Sequence, residues 1–214
     1  MLGWIQFLIV SITIINNMVV RISHHLYKYL VMCKNKNIFV TSDIWINRPM
    51  GEFSSMTNDE YNNMLIDNWN STVSKDDIVY ILGGFGIGDC YDIILKLNGE
   101  IHFLNSIFGE SDAEFMNSLK KSVVNSVDVE LSKRIIFESN QILVSPKCDC
   151  VLSYFPLNDW VGKSTNTFCL HGYTNRHNLN DNNISCKFDM WGGSPINIED
   201  IKNNISKMKK ILFK

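Results

Sequence analysis

The chain has 214 residues and a mass of 24.6 kDa, which suits one domain with a full hydrophobic core that needs no disulfide or metal to hold it. It carries 20 basic and 22 acidic side chains, a formal charge of -2, and 45% of its residues are hydrophobic. This composition excludes a disordered chain and gives no indication of nucleic-acid binding. Six cysteines in a chain of this length favour reduced thiols and an intracellular protein over a disulfide framework.

The amino-terminal segment, residues 1–37, differs from the rest. Residues 1–15 carry no charge, and the apolar run continues to Val20, close to the roughly 20 residues of a membrane span. Positive charge follows this run, which argues against a cleaved signal peptide. Apolar residues between 18 and 33 recur at helical spacing. Three interpretations stay open: a docking element, a membrane anchor through residues 1–20, or an extension without a role.

The domain is expected to span residues 38–214 and to begin with a strand. NIFVTSD at 37–43 is a β-branched and aromatic run that delivers the carboxylate of Asp43 at its carboxyl end. A helix is predicted from Thr57 to Ser71, with Thr57 and Glu60 forming a capping box. DIVYIL at 77–82 is a second buried strand, which runs into the glycines of GGFGIGD.

The order of elements then predicts an α/β protein with two sheets. A helix over 91–97, closed by Asn98-Gly99, precedes a third strand over 101–108. The remaining elements are a helix over 113–124, strands over 132–137, 141–144, 150–154, 167–171 and 184–188, and a closing helix over 198–212.

Several short segments follow one another along the chain in a recognisable order. They are TSDIW at 41–45, RP at 48–49, NWNSTVSKDDIVYILGGF at 68–85, LNG at 97–99, GESD at 109–112, LSYFPL at 152–157, LHGYTN at 170–175 and FDMWGGSPINIEDI at 188–201. These segments resemble the motifs of the calcineurin-like metallophosphoesterases, in particular their small phage and bacterial members. That family has, in order, SDxH, an Arg-Pro loop, a helix ending in WN, a strand ending LGDF, LNG, GNHD, SHYP, GHxH and a terminal Pro before a helix. The resemblance implies a four-layer α/β/β/α sandwich of two mixed β-sheets, with its site at the carboxyl ends of the strands.

In that family, two divalent metals such as Mn or Fe/Zn bridge a hydroxide that attacks a phosphate. Asp43 stands at the position of the first ligand and can still bind metal. The next ligand, a histidine, is replaced by Trp45, whose ring nitrogen has no lone pair to give. The aspartate that bridges both metals is replaced by Gly84.

The later motifs are altered as well. If GESD matches GNHD, Glu110 takes a ligand position and Ser111 replaces the histidine that protonates the leaving group, a task serine cannot perform near neutral pH. An ungapped count from LNG places residues 106–109 there instead. Tyr154 and Tyr173 replace ligand histidines, and Asn175 replaces another.

We therefore expect no catalytic residues and no bound cofactor, with the old cavity filled by the aromatic replacements. Asp43, Glu110, Asn175 and His171 are the side chains that could act as residual ligands. Asp89 is a less favoured substitute for the bridging carboxylate, and His102 is expected to be half-buried packing in the third strand.

The function predicted from these observations is that of a pseudoenzyme, a metallophosphoesterase-like body kept for protein contact, with residues 1–37 as the attachment element. The phage resemblance, together with 25 asparagines that indicate an AT-rich genome, favours a component of a phage or viral particle. The protein would then be intracellular or virion-associated, with membrane anchoring open. Two alternatives remain: a residual metal-dependent phosphodiesterase, and a module that binds a nucleotide or phosphate in the altered cleft, where aromatic rings could stack on a base.

Overall fold

The computed structural model describes residues 36–106, 110–126, 129–139, 142–145, 150–160, 162–165, 167–173, 182–201 and 203. The chain divides into two units, Met1–Lys36 and Asn37–Lys214. All described residues except Lys36 belong to the second unit. The apolar run and the predicted amphipathic helix before Lys36 therefore lie outside the described residues.

The described part of the chain is a mixed α/β structure with two sheets, as the element order predicts. Its strands are β1 (Ile38–Thr41), β2 (Ile78–Ile81), β3 (Glu100–Phe103), β4 (Ile135–Phe137), β5 (Ile142–Ser145), β6 (Cys150–Ser153), β7 (Phe168–His171), β8 (Asn183–Ser185) and β9 (Ile196–Asn197). The first sheet has the order β4-β3-β2-β1-β9, with β1 to β4 parallel and β9 antiparallel to β1. The second has the order β5-β6-β7-β8, with β6 to β8 parallel and β5 antiparallel to β6.

Along the chain, four helices of the described part lie between successive strands of the first sheet, from β1 to β4. They are α1 (Asn58–Thr72), α2 (Tyr91–Lys96), α3 (Glu110–Val124) and the short α4 (Val129–Ser132). Short 3₁₀ helices occur at Gly51–Phe53, Lys163–Thr165 and Asp189–Trp191. The predicted closing helix is seen over residues 198–201 and at 203. None of the helices in these ranges is long and apolar enough to cross a bilayer.

Local sequence signals explain where the first helix begins and how it packs. The Thr57 hydroxyl accepts from the Glu60 amide, and the Glu60 carboxylate accepts from the Thr57 amide, which confirms the predicted capping box. Tyr61, Leu65 and Trp69 follow at spacings of four and are almost completely buried. This face packs into a core shared with the first sheet.

The largest differences from the sequence-based prediction are three boundaries and one missed strand. The third strand ends at Phe103 rather than Phe108, and α3 begins at Glu110 rather than Ala113, so the last three residues of GESD open a helix. The predicted strand over 132–137 begins only at Ile135, because the short α4 occupies the residues before it. The two-residue strand β9 was missed, since a pair of residues has no detectable periodicity.

His102 is more than packing, and the expectation of a half-buried ring was wrong. It is 6% exposed, and its ring nitrogens lie 2.6 Å from Glu138 and 2.9 Å from Glu100. Burial lowers the pKa of this imidazole, but the hydrogen bonds to the two carboxylates outweigh that effect, and the pKa is raised. Both ring nitrogens thus face a carboxylate, and His102 links Glu100 of β3 to Glu138, which follows β4.

Candidate functional site

The carboxyl ends of the two sheets meet around the residue that follows β1. The Ser42 amide donates to the Cys186 carbonyl at 3.0 Å, and the Phe188 amide donates to the Ser42 carbonyl at 2.9 Å. The segments that continue β1 and β8 are thus paired in parallel. This pairing brings residues 43 and 187 together, although they are far apart in sequence.

The loop after β1 is held in an unusual conformation by the loop after β2. Backbone amides of Asp43, Trp45 and Ile46 donate to the carbonyls of residues 83, 84 and 85 at 2.8 to 3.0 Å. Asp43, at φ +52°, and Trp45, at φ +39°, both lie at positive φ. Non-glycine residues adopt this region at a cost and persist there only where the surroundings fix them. The orientation of Asp43 is therefore set by the backbone around it.

Both carboxylate oxygens of Asp43 have partners within the protein. The Tyr154 hydroxyl donates to Oδ1 at 3.1 Å, and the Lys187 ammonium lies 3.1 Å from Oδ2. Asp43 is 8% exposed, and the Lys187 side chain is 17% exposed. Tyr154 follows β6 and Lys187 follows β8, so one carboxylate of the first sheet is bound by two residues of the second.

Burial dominates the ionisation of this carboxyl. It raises the pKa of Asp43 from 3.8 to about 6, while the positive charge and hydrogen bond of Lys187 and the hydroxyl of Tyr154 oppose the increase, and the negative charge of Asp189 adds to it. Burial likewise raises the pKa of Tyr154, and the neighbouring Asp43 charge adds to that shift. Tyr154 is therefore a neutral hydrogen-bond donor near neutral pH.

Gly84 lies directly against Asp43. Its φ is +66°, and a Cβ added there would meet Asp43 Oδ1 at 2.1 Å and Asp43 Cα at 2.7 Å. A side chain at this position would require the backbone to move. The turn therefore has no room for a carboxylate side chain at this position.

Tyr154 and Tyr173 lie in one aromatic cluster. The rings of Tyr154 and Tyr173 are 5.9 Å apart, and Phe155 lies 5.3 Å from Tyr154 and 4.7 Å from Tyr173. Tyr154 is buried, but Phe155 is 36% exposed and Tyr173 is 56% exposed. Of these two tyrosines, Tyr154 is buried as expected of a ring that packs inside the protein, whereas Tyr173 is exposed and does not fill a cavity.

Trp45 lies on the other side of Asp43. It is half-buried, and the Arg48 guanidinium is 5.6 Å from the centre of its ring. Trp45 and Asp43 line a cavity of about 240 Å³, together with Lys187, Asp189, Phe53 and Tyr61. The space beside Asp43 is therefore open.

The remaining predicted site residues are dispersed or lie outside the described residues. Glu110 is the first residue of α3, and Ser111 lies in its first turn. His171, at the end of β7, is 1% exposed. Asp89 is exposed, and one of its carboxylate oxygens accepts from the Tyr91 amide at the start of α2. Asn175 and residues 107–109 are outside the described ranges, which leaves the two alignments of GNHD undecided.

In the part of the chain that the structure describes, no three His, Cys, Asp or Glu side chains lie together in a group that could hold a metal ion. Sequence reasoning missed two charged residues of the site, Lys187 and Asp189. Asp189 lies within the FDMWGG segment and Lys187 directly precedes it. Apart from the position of this segment after the last motif, no feature of the sequence indicated that either is part of the site.

Comparison with known proteins adds the fold alone. No protein-family model matches the chain, and no curated protein matches it. A solved structure that matches is the crystal structure of the protein of unknown function AQ665 from Aquifex aeolicus, at 15% sequence identity and a TM-score of 0.50. The match covers 79% of this chain and 99% of that one.

The contact between Gly84 and Asp43 predicts a position-specific cost of adding a methyl group. Gly84→Ala and Gly88→Ala both place a side chain at positive φ, which costs about 1 to 2 kcal/mol, but nothing lies within 4 Å of a Cβ at Gly88. We expect Gly84→Ala to reduce the free energy of unfolding by about 1 to 3 kcal/mol more than Gly88→Ala, because of overpacking. Urea unfolding measures both, and an equal loss would show that the contact is unimportant.

The raised pKa of Asp43 predicts a pH-dependent stability. Because the folded-state pKa of about 6 exceeds the ordinary 3.8, this carboxyl stabilises the fold when protonated, and that contribution is lost as the pH rises through 6. As the pH rises across this window, the unsubstituted protein should lose up to about 3 kcal/mol of unfolding free energy from this group. Asp43→Asn lacks the group, so the difference in unfolding free energy between the variant and the unsubstituted protein should shift in favour of the variant by that amount. Urea unfolding from pH 4 to 7.5 measures the gain, with the exposed Asp76→Asn as control. Parallel pH profiles for Asp43→Asn and the unsubstituted protein would contradict the shift.

Proposed function

We propose that this protein is a catalytically inactive, metallophosphoesterase-like protein that acts through contacts with other proteins. The observation that carries the proposal is that Tyr154 and Lys187 bind the two oxygens of Asp43. Asp43 is the only unaltered ligand position in the resemblance. Its carboxylate is already engaged by a hydroxyl and an ammonium.

Metal binding at this carboxylate would have to displace both partners. A divalent cation near Oδ2 would be repelled by the Lys187 ammonium at 3.1 Å, and the electrostatic energy is large at such a distance in a partly buried site. Two metals would also need the bridging carboxylate, for which the Gly84 turn has no room. Lys187 thus supplies to Asp43 the positive charge that metals supply in the related enzymes.

The proposal includes the four-layer α/β/β/α sandwich of that family. It is supported by the convergence of four matched segments: the residue after β1, the glycine turn after β2, the SYFP segment after β6 and the HGY segment at the end of β7. Gly83 and Gly172 both lie close to the Tyr154 ring, and the Gly172 amide donates to the Tyr154 carbonyl at 2.9 Å. Segments that build one site in the family are neighbours here.

The surface proposed for protein contact is the pair Phe155 and Tyr173. Their rings are 4.7 Å apart and exposed, and exposed aromatic residues are enriched where proteins bind each other. Residues 1–37 are proposed as a second attachment element. An accessory or structural component of a phage or viral particle, intracellular or virion-associated, would use both.

The absence of phosphoesterase activity can be measured directly. We expect full-length protein incubated with manganese and then desalted to retain no stoichiometric metal by elemental analysis. We also expect it to hydrolyse bis-p-nitrophenyl phosphate no faster than Asp43→Ala. Two bound metals with turnover that Asp43→Ala abolishes would establish the alternative, a residual phosphodiesterase that recruits Glu110, Asn175 or His171.

The proposed contact surface predicts which substitutions abolish partner binding. Proteins cross-linked to the tagged chain in its source cells should be lost with the double variant Phe155→Ser, Tyr173→Ser and kept with Val124→Ser. Val124 is an 82% exposed apolar residue at the end of α3, so it controls for general surface hydrophobicity. Circular dichroism checks that each variant is folded. Identical partners for both variants would exclude this surface.

A further inference from the structure

The cavity beside Asp43 carries a negative charge that the protein does not neutralise. It measures about 240 Å³, and its charged lining consists of Asp43, Lys187 and Asp189. Lys187 is paired with Asp43. The pair is neutral when Asp43 is ionised, so the charge left over is that of Asp189.

Asp189 has the structural features of a side chain that awaits a partner. Its Oδ1 is buried and has no hydrogen bond to any described residue. Its Oδ2 lies against Gly51, where an added Cβ would approach it to 2.8 Å. A buried polar atom without a partner costs about 1 to 3 kcal/mol. Asp189 as a whole is half-buried and lines the cavity, so a ligand there would meet this carboxylate through Oδ2 rather than through the enclosed Oδ1.

The field of Asp189 extends across the cavity. Burial is the main cause of the raised pKa of both Asp43 and Tyr61, and the negative charge of Asp189 raises each pKa further. Tyr61 cannot donate to Asp189, because its hydroxyl donates to the Ile44 carbonyl at 2.6 Å. Tyr61 and Lys187, which line the cavity together with Asp189, therefore both have other partners.

The rest of the lining is aromatic and apolar. Trp45, Phe53 and Tyr61 border the space together with Met50. The face of an aromatic ring attracts a cation, and the attraction grows when the cation is removed from water. A carboxylate beside aromatic rings favours a positively charged organic group over a hydrated metal ion. An anion such as phosphate is disfavoured, because Lys187 is already paired and two carboxylates face the space.

We propose that this cavity binds a small organic cation, an alkylammonium or guanidinium group, with Asp189 as its counter-ion. The aromatic lining accommodates the alkyl part, and the carboxylate accepts hydrogen bonds from the charged end. The cation comes either from a free amine or from a Lys or Arg side chain of a partner protein. The two sources share this chemistry and are separated by the probes below.

The first test compares a charged probe with a neutral probe of the same shape on the full chain at about pH 7.5. Isothermal titration should show saturable binding of n-butylammonium and none of n-butanol. Asp189→Asn keeps the shape of the side chain and removes its charge, and should weaken n-butylammonium binding by about tenfold or more. Asp76→Asn, an exposed aspartate elsewhere, should bind as the unsubstituted protein does.

The second test distinguishes the sources. The site is assigned to a partner side chain if acetyl-Gly-Lys-Gly-amide binds at least as tightly as n-butylammonium and its Nε-acetylated form does not bind. Tighter binding of the free amine assigns it to a small molecule. Equal binding of n-butanol and n-butylammonium, or unchanged affinity in Asp189→Asn, would overturn the proposal. If Asp189→Asn does not fold, the comparison of the two probes on the unsubstituted protein decides. The proposal is independent of the missing phosphoesterase activity, which is measured separately.

Discussion

The arrangement of the site depends on one buried carboxylate bound by two residues from the other sheet. Asp43 extends from the end of β1, and its partners, Tyr154 and Lys187, follow β6 and β8. Removing an ionised carboxylate from water costs free energy, and burial therefore raises the pKa of Asp43 to about 6 even with its two partners in place. The ion pair and the hydroxyl offset it in part. Removing one partner alone would leave a buried charge without its counterpart.

The residues around Asp43 act as a set rather than one by one. Gly84 lets the turn after β2 lie against Asp43, and the amides of Asp43 and Trp45 donate to that turn. Tyr154 places its hydroxyl against one oxygen of the carboxylate. Lys187 provides a positive charge to the other. Together they satisfy the hydrogen-bonding capacity of this buried carboxylate.

Sequence reasoning located the elements well and the interactions poorly, for physical reasons. Hydrophobic periodicity and the Thr57 capping box marked α1, and β-branched runs marked β1 and β2, because these signals are local. Asp43 was placed correctly at the end of β1. The ion pair with Lys187 was not foreseen, since it joins residues brought together only by the pairing of Ser42 with the segment after β8. The hydrogen bond between His102 and Glu138 was not predicted for the same reason, since these residues are far apart in sequence.

A structural cluster of charged groups and a candidate binding site differ in whether their polar atoms have partners. Around His102, both ring nitrogens lie within hydrogen-bonding distance of a carboxylate, as expected of an interaction that serves stability. Around Asp43, one carboxylate is satisfied by two donors while Asp189, in the same cavity, has none among the described residues. A group kept only for stability would gain from replacement by a neutral side chain at position 189. A carboxylate without a partner among the described residues, beside three aromatic rings, has the chemistry that a site for a positively charged ligand needs.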